Sequence, residues 1–193
     1  MSGTVYSNTL HWLKTFVEPE SKVIEIGSGS GQYKQLLDKG NLICTDVPNS
    51  YYQSAAQIDV INRGEALPFA SSSADILFSQ GAVDYIEYLD THFDEAFRVL
   101  KPGGKMLVFT YKKKTLRRIH KESKNIFFGS RKHFHIFNEG QLAQKLKNSG
   151  FTVKRLPFAL NIKNSILQEL VELPGIRNII SRNRSWRTFL AEK

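Results

Sequence analysis

The chain has 193 residues, 41% hydrophobic and 23% charged, with a formal net charge of +9. That length suits one domain with one core, and the composition excludes global disorder. No apolar run approaches the ~20 residues that span a bilayer, no basic-then-apolar leader opens the sequence, and the single Cys44 excludes an internal disulfide or a multi-cysteine metal site.

In chain order, Ser7 to Phe16 spaces Leu10, Leu13 and Phe16 for a helix, with Ser7 or Asn8 as N-cap and Pro19 and Ser21 ending it. Lys22 to Ile26 is a strand that runs into Gly27, Gly29 and Gly31. Gln32 to Asp38 follows as a helix ended by Gly40, then Asn41 to Thr45 as a strand stopped by Asp46 and Pro48. Helical sequence through Tyr51 to Ala56 leads to a strand near Ile58 to Ile61. A loop with Pro68 and Ser71 to Ser73 precedes the strand Ala74 to Ser79. Asp94 to Leu100 closes a helix with Phe93, Phe97 and Leu100 on one side. Lys101-Pro102-Gly103-Gly104 is a turn, and Lys105 to Tyr111 an alternating apolar strand. The alternation predicts an α/β fold with a doubly wound, mostly parallel sheet.

Beyond Tyr111 the pattern changes. Lys112 to His135 is basic and irregular. Asn138 caps a helix running to Ser149, with Gln141 completing a capping box and Gly150 as the stop. Phe151 to Leu156 is a strand, Ile166 to Leu173 is helical up to Pro174, and Trp186 to Ala191 is a final strand. The two late strands predict a C-terminal antiparallel pair at one sheet edge.

Glu25-Ile26-Gly27-Ser28-Gly29-Ser30-Gly31 sits between a strand and a helix. Glycine allows positive φ and close approach of backbone to a ligand, and the helix start offers free N–H groups. Asp46 ends the next strand, where an acid accepts hydrogen bonds from ribose hydroxyls in doubly wound folds. Nucleotide binding follows. The dinucleotide spacing Gly-x-Gly-x-x-Gly would require a glycine where Gln32 stands. Glu25 is also awkward beside a pyrophosphate and welcome beside an ammonium and a sulfonium. A nicotinamide oxidoreductase is thereby disfavoured; a turn that merely packs strand on helix remains the alternative.

Val23-Ile24-Glu25-Ile26-Gly27-Ser28-Gly29-Ser30-Gly31 resembles the first motif of class I S-adenosylmethionine-dependent methyltransferases. Asp46, Glu65-Ala66-Leu67-Pro68-Phe69, Ala74-Asp75-Ile76-Leu77-Phe78-Ser79 and Leu100-Lys101-Pro102-Gly103-Gly104 agree with that family in order and spacing. Together they resemble the subgroup that includes quinone-biosynthesis and many small-molecule methyltransferases. The resemblance spans residues 22–111, and more weakly Phe137 to Val153 through Phe137-Asn138-Glu139 and Ser149-Gly150-Phe151. It implies a single Rossmann-like methyltransferase domain: an N-terminal helix over 1–20, a cofactor-binding core over 22–111, and a basic lid with sheet-completing strands over 112–193. It also implies S-adenosylmethionine as cofactor and S-adenosylhomocysteine as product. By the same resemblance Gly27 and Gly29, with Ser28 and Gly31, hold the methionine part, Glu25 orients its amino group, Asp46 binds the ribose, Val47 flanks the adenine, and Ser79 and Gln80 line the methyl-donor face. The subgroup's Gly-Asp-Ala before Glu65 reads Asn62-Arg63-Gly64 here. Adenine contacts then fall to Asn62 or to backbone around Gly64 and Glu65, or the loop is shifted by a residue.

Methyl transfer from a sulfonium is an in-line displacement, so the protein mainly aligns the reactants and excludes water. A base is needed only where the attacking atom carries a proton. Asp84, His133 and His135 are the candidates, against plainer readings of Asp84 as a helix N-terminal charge and of the histidines as a surface strand. Tyr85 and Tyr111 would wall the acceptor pocket. The Asn/Asp-Pro-Pro-aromatic block of amine methylases is replaced by Ser79-Gln80-Gly81-Ala82, and Cys44 lies inside a strand as a small buried residue rather than a nucleophile.

Lys112-Lys113-Lys114, Arg117-Arg118, Lys121, Lys124, Arg131 and Lys132 form a basic stretch. It reads as a solvated lid, a recognition surface for an anionic acceptor, or a contact with membrane or nucleic acid. The apolar stretch Ile166 to Ile180 with nearby arginines could lie on an anionic membrane surface, or pack on the sheet or on a partner subunit. The expected activity is methyl transfer to a small-molecule or lipid-linked acceptor in the cytoplasm, with no metal, no required nucleic acid and peripheral membrane contact at most. RNA or protein methylation through the basic lid, or cofactor binding without catalysis, are the alternatives.

Overall fold

Val23, Ile24 and Ile26 of β1 (Lys22–Ile26) are buried on both faces of the strand, as a strand covered by helices on either side requires. The computed structural model describes residues 3–47, 58–111, 135, 137–157 and 186–193. The remaining described strands are β2 (Asn41–Asp46), β3 (Val60–Ile61), β4 (Ala74–Gln80), β5 (Leu100–Tyr111), β6 (Thr152–Leu156) and β7 (Trp186–Glu192). They form one seven-stranded sheet in the order β3-β2-β1-β4-β5-β7-β6. The pairs β1–β2, β2–β3, β1–β4 and β4–β5 are parallel. Strand β7 is antiparallel to both β5 and β6. The strand order reverses at β1 and β4, so the ligand crevice belongs at their carboxyl ends.

Helices α1 (Gly3–Phe16), α2 (Tyr33–Leu36), α3 (Leu89–Val99) and α4 (Glu139–Asn148) cover the two faces. On one face Phe93, Ala96 and Val99 of α3 and Leu142 and Leu146 of α4 pack with Ile24, Leu77, Met106 and Val108. On the other, Trp12 and Leu13 of α1, with Val17 just beyond it, and Tyr33 of α2 pack with Val23, Ile76, Phe78, Leu107 and Phe109. Each fully buried Leu or Phe contributes about 1.5–3 kcal/mol, so both layers matter to holding the sheet. Asn138 caps α4 as its spacing predicts: its side chain accepts from the Gln141 N–H at 2.9 Å and the Gln141 side chain accepts from the Asn138 N–H at 2.9 Å.

Several boundaries differ from the sequence reading. Helix α1 begins at Gly3, so neither Ser7 nor Asn8 is its cap. Asn8 is instead buried and donates to Thr188 Oγ1 of β7 at 3.2 Å. The second helix is confined to Tyr33–Leu36, and β3 to Val60–Ile61. Helix α3 ends at Val99, and Leu100 already pairs with Ala74. The predicted turn at 101–104 is an irregularity within β5: Ile76 next pairs with Lys105. The antiparallel pair lies at one edge as expected, yet the last strand in the chain is the inner one. The predicted helices at 51–56 and 166–173 lie outside the described residues. Among the described residues no helix is long and apolar enough to cross a membrane.

Candidate active site

Strand β1 ends in a turn that folds over the carboxyl end of β2. The N–H groups of Gly27 and Ser28 both donate to the Thr45 carbonyl at 2.9 Å, and the Gly31 N–H closes the turn onto the Ser28 carbonyl at 2.9 Å. Gly27 has φ +73° and Gly29 +57°, the left-handed region where a Cβ is costly. A Cβ on Gly27 would also lie 2.4 Å from Ala82 Cβ, so the turn is seated against the segment that follows β4.

Asp46 lies at the end of β2, facing this turn. One carboxylate oxygen accepts from the Gly29 N–H at 2.7 Å and the other from the Val47 N–H at 2.7 Å. Each oxygen retains acceptor capacity for a further donor. Glu25 sits one strand over, 2% exposed. Burial pushes its carboxyl up to about 8, opposed by the contact from Cys44 Sγ at 3.7 Å and helped by a smaller contribution from the negative Asp46. Cys44 is itself buried and its thiol is pushed up to about 12, first by burial and then by Glu25. It is thus a packed, unreactive thiol.

The adenine-side candidates follow β3. Asn62 donates its backbone N–H to the Asp46 carbonyl at 2.9 Å. Its amide nitrogen donates to the Arg63 carbonyl at 2.9 Å, which leaves Oδ1 buried without a partner among the described residues. The Gly64 carbonyl is held by His92 Nδ1 of α3 at 2.8 Å, and Glu65 accepts from the Tyr88 N–H at 3.3 Å. At the end of β4, Ser79 is buried with its hydroxyl unpartnered among the described residues, and Gln80 Oε1 accepts from Thr9 Oγ1 at 2.8 Å and from the Tyr33 hydroxyl.

Asp84 lies in the short turn Val83–Tyr85 beyond β4, 1% exposed. Thr110 Oγ1 of β5 lies 3.1 and 3.0 Å from its two carboxyl oxygens. Burial pushes Asp84 up to about 7, against a lowering by Thr110. Asp84 thus stands in the first turn of a three-residue 3-10 helix, where the plainer reading has it, with its side chain buried. The His135 N–H donates to the Asp84 carbonyl at 3.3 Å and its Nε2 lies 3.2 Å from the Glu87 carbonyl. Tyr85 is partly exposed, and Tyr111 is half-buried at the end of β5. His133 and the basic stretch 112–132 lie outside the described residues. The fold therefore brings Glu25, Asp46, Asn62, Ser79, Gln80 and Asp84 to the carboxyl side of the sheet. Sequence reasoning missed Thr9, Tyr33, His92 and Thr110, whose partners are far away in the chain.

Glu25 and Asp84 bind a proton in the folded state at pH values where the unfolded chain has released it. Each therefore removes stability as pH rises between about 4.5 and 7, by at most about 1.4 kcal/mol per unit. Glu25→Gln and Asp84→Asn should each flatten the fall of melting temperature across that window. An unaltered slope in both would contradict the buried protonated carboxyls.

Residues 24–108 match the family described as Methyltransferase domain. A S-adenosylmethionine-dependent methyltransferase structure from Mesorhizobium loti superposes with a TM-score of 0.70 over 99% of each chain, at 16% identity. Residues 24–108 thus resemble a methyltransferase domain in sequence, and the chain shares its fold with that structure. Among sequence relatives of the chain, the malonyl-[acyl-carrier protein] O-methyltransferase of Methylococcus capsulatus is 29% identical over 86% of this chain and 66% of its own length. The ubiquinone/menaquinone biosynthesis C-methyltransferase of Laribacter hongkongensis is 31% identical over 58% of this chain and 53% of its own. The chain thus spans less than two thirds of the length of either relative.

The residues at this site suit S-adenosylmethionine, the cofactor named for the Mesorhizobium loti structure. Ser28 Oγ and Ser79 Oγ are buried hydroxyls without a partner among the described residues, Glu25 is a buried carboxyl without a cation, and Asp46 keeps acceptor capacity. Buried polar groups of this kind call for polar ligand atoms. An ammonium, ribose hydroxyls and an adenine amino group supply them.

Proposed function

We propose that the chain transfers a methyl group from S-adenosylmethionine to a small-molecule or lipid- or carrier-linked acceptor. The observation that carries this reading is the bridge from Asp46 at the end of β2 to the Gly29 N–H in the β1 turn. The names of the two relatives support a small or carrier-linked acceptor over a macromolecular one. A reducing, cytoplasmic setting suits the single buried thiol.

Bound at this site, S-adenosylmethionine supplies a methyl already activated on a sulfonium. The residues do the rest. Asp46 fixes the ribose through the acceptor capacity left on its two oxygens, and Glu25 draws the amino group toward the glycine turn. Asn62 accepts from the adenine amino group. Ser79 and Gln80 border the methyl face, and Thr9 and Tyr33 hold Gln80 still. On the acceptor side Asp84 takes the proton of an acceptor that carries one at its attacking atom, with His135 beside it; Tyr85 and Tyr111 wall the acceptor. A carboxyl near 7 is poised for that exchange at neutral pH.

Calorimetry with S-adenosylhomocysteine and with NAD tests the cofactor assignment, and transfer of labelled methyl to a pool of extract metabolites tests catalysis. Binding of NAD alone, or cofactor binding with no transfer to any acceptor, defeats the proposal. Polyanion binding that weakens steeply with salt would instead favour RNA as the acceptor.

Glu25 supplies a second test. Below about pH 8 its carboxyl holds a proton in the free protein, and an ammonium beside it favours the ionised form. Binding then releases a proton, so affinity should rise with pH toward 8, by at most about tenfold per unit. Titrations in buffers of differing ionisation enthalpy count the proton directly. Glu25→Gln should abolish the release; a wild-type affinity constant from pH 6 to 8 would rule out the amino-group role.

A further inference from the structure

His92 is wholly buried in α3, and its Nδ1 meets the Gly64 carbonyl at 2.8 Å. A carbonyl only accepts, so the imidazole proton is on Nδ1 and Nε2 is a bare acceptor. Nε2 is buried with no partner among the described residues. Burial also holds the ring below the usual histidine range, so it stays neutral. An unsatisfied buried acceptor destabilises the fold. An apolar ring would fill the same space without that cost. What the imidazole adds here is its bond to the loop at Gly64.

The loop's other ties are the Asn62 N–H on the Asp46 carbonyl at 2.9 Å, the Asn62 amide and the Ala66 N–H on the Arg63 carbonyl at 2.9 and 3.0 Å, and Glu65 on the Tyr88 N–H at 3.3 Å. Between them Gly64 is packed so closely that a Cβ would lie 2.9 Å from Ile86 Cδ1 and 3.2 Å from His92 Nδ1. The Gly64 carbonyl is two residues from Asn62, whose buried Oδ1 is the acceptor left without a donor. The Asn62 amide rests on the Arg63 carbonyl at 2.9 Å, one residue before Gly64, so a displacement of the backbone at Gly64 carries the anchor of that side chain with it.

We propose that His92 is a positioning residue that, through Gly64, holds Asn62 Oδ1 in place to select an adenine amino group over a carbonyl. The inference rests on the reading of the 62–65 loop as the adenine side of the cofactor site. It goes beyond that reading by assigning base selectivity to a helix residue that touches no ligand.

The probes are S-adenosylhomocysteine and its deaminated counterpart, in which a carbonyl replaces the adenine amino group, titrated by calorimetry into the full chain. The wild-type protein should prefer the adenine form by about tenfold or more, the worth of one buried hydrogen bond gained against an acceptor–acceptor clash. His92→Phe keeps a ring and removes the donor; the preference should fall toward unity. His92→Asn places an amide nitrogen near the position of Nδ1 and should restore it. Should the Phe variant not fold, His92→Leu makes the same comparison, and the Asn rescue stands in either case. Equal weakening of both nucleosides in the Phe or Leu variant would mean a merely structural role and overturn the proposal, as would a preference unchanged in every variant. Wild-type binding of both forms with equal affinity would also overturn it while leaving the cofactor assignment intact. Wild-type binding of neither form defeats the cofactor assignment itself and this inference with it.

Discussion

Gly27→Ala should lower the melting temperature by about 5–15 °C. Its φ of +73° places the new Cβ in the left-handed region, at about 1–2 kcal/mol. The same Cβ would stand 2.4 Å from Ala82 Cβ, an overpacked contact that costs about 1–3 kcal/mol more. In a chain of this size each kcal/mol is about 2–4 °C. Gly103→Ala is the control, since Gly103 has φ +77° and nothing within 4 Å of a built Cβ. It should lose only the backbone contribution, about 2–8 °C. Equal losses at the two positions would show that the contact with Ala82 yields freely. The affinity for S-adenosylhomocysteine should fall only in Gly27→Ala, because Ala82 stands two residues before Asp84 and the added methyl spreads the crevice.

Asp46→Ala should weaken S-adenosylhomocysteine by about 5–150-fold, or about 1–3 kcal/mol. The change removes the proposed ribose acceptor and also frees the Gly29 and Val47 N–H groups that hold the turn against β2. Asp46→Asn should rescue little. Both carboxylate oxygens accept from backbone N–H groups, and an amide must turn its own NH2 toward one of them. Calorimetry reads both variants. Unchanged affinity in Asp46→Ala, or full recovery in Asp46→Asn, would refute the double-acceptor role.

The parts of the site that were legible in the sequence are those whose signal is local. Three glycines at positive φ after a branched strand, and an acid where the next strand stops, announce themselves by spacing alone. The capping box at Asn138 and Gln141 is likewise a signal contained within one helical turn. The misread parts are those whose partner is remote. Asn8 has the chemistry of a cap, yet its amide is used by Thr188, 180 residues away. The partners of Gln80, Gly64 and Asp84 are 71 and 47, 28, and 26 residues distant. No periodicity relates positions so separated, so Thr9, Tyr33, His92 and Thr110 read as ordinary helix and strand residues.

By itself the sequence determined the alternation of strands and helices and the chemistry of the turn between the first two, because hydrophobic period and glycine conformation act over a few residues. Tertiary structure decided which groups carry protons and which side chains hold the site. Glu25 and Asp84 are ordinary carboxylates in the sequence. They become protonated near neutrality only because the packed sheet and helices exclude water from them, and desolvation belongs to the assembled layers rather than to any segment.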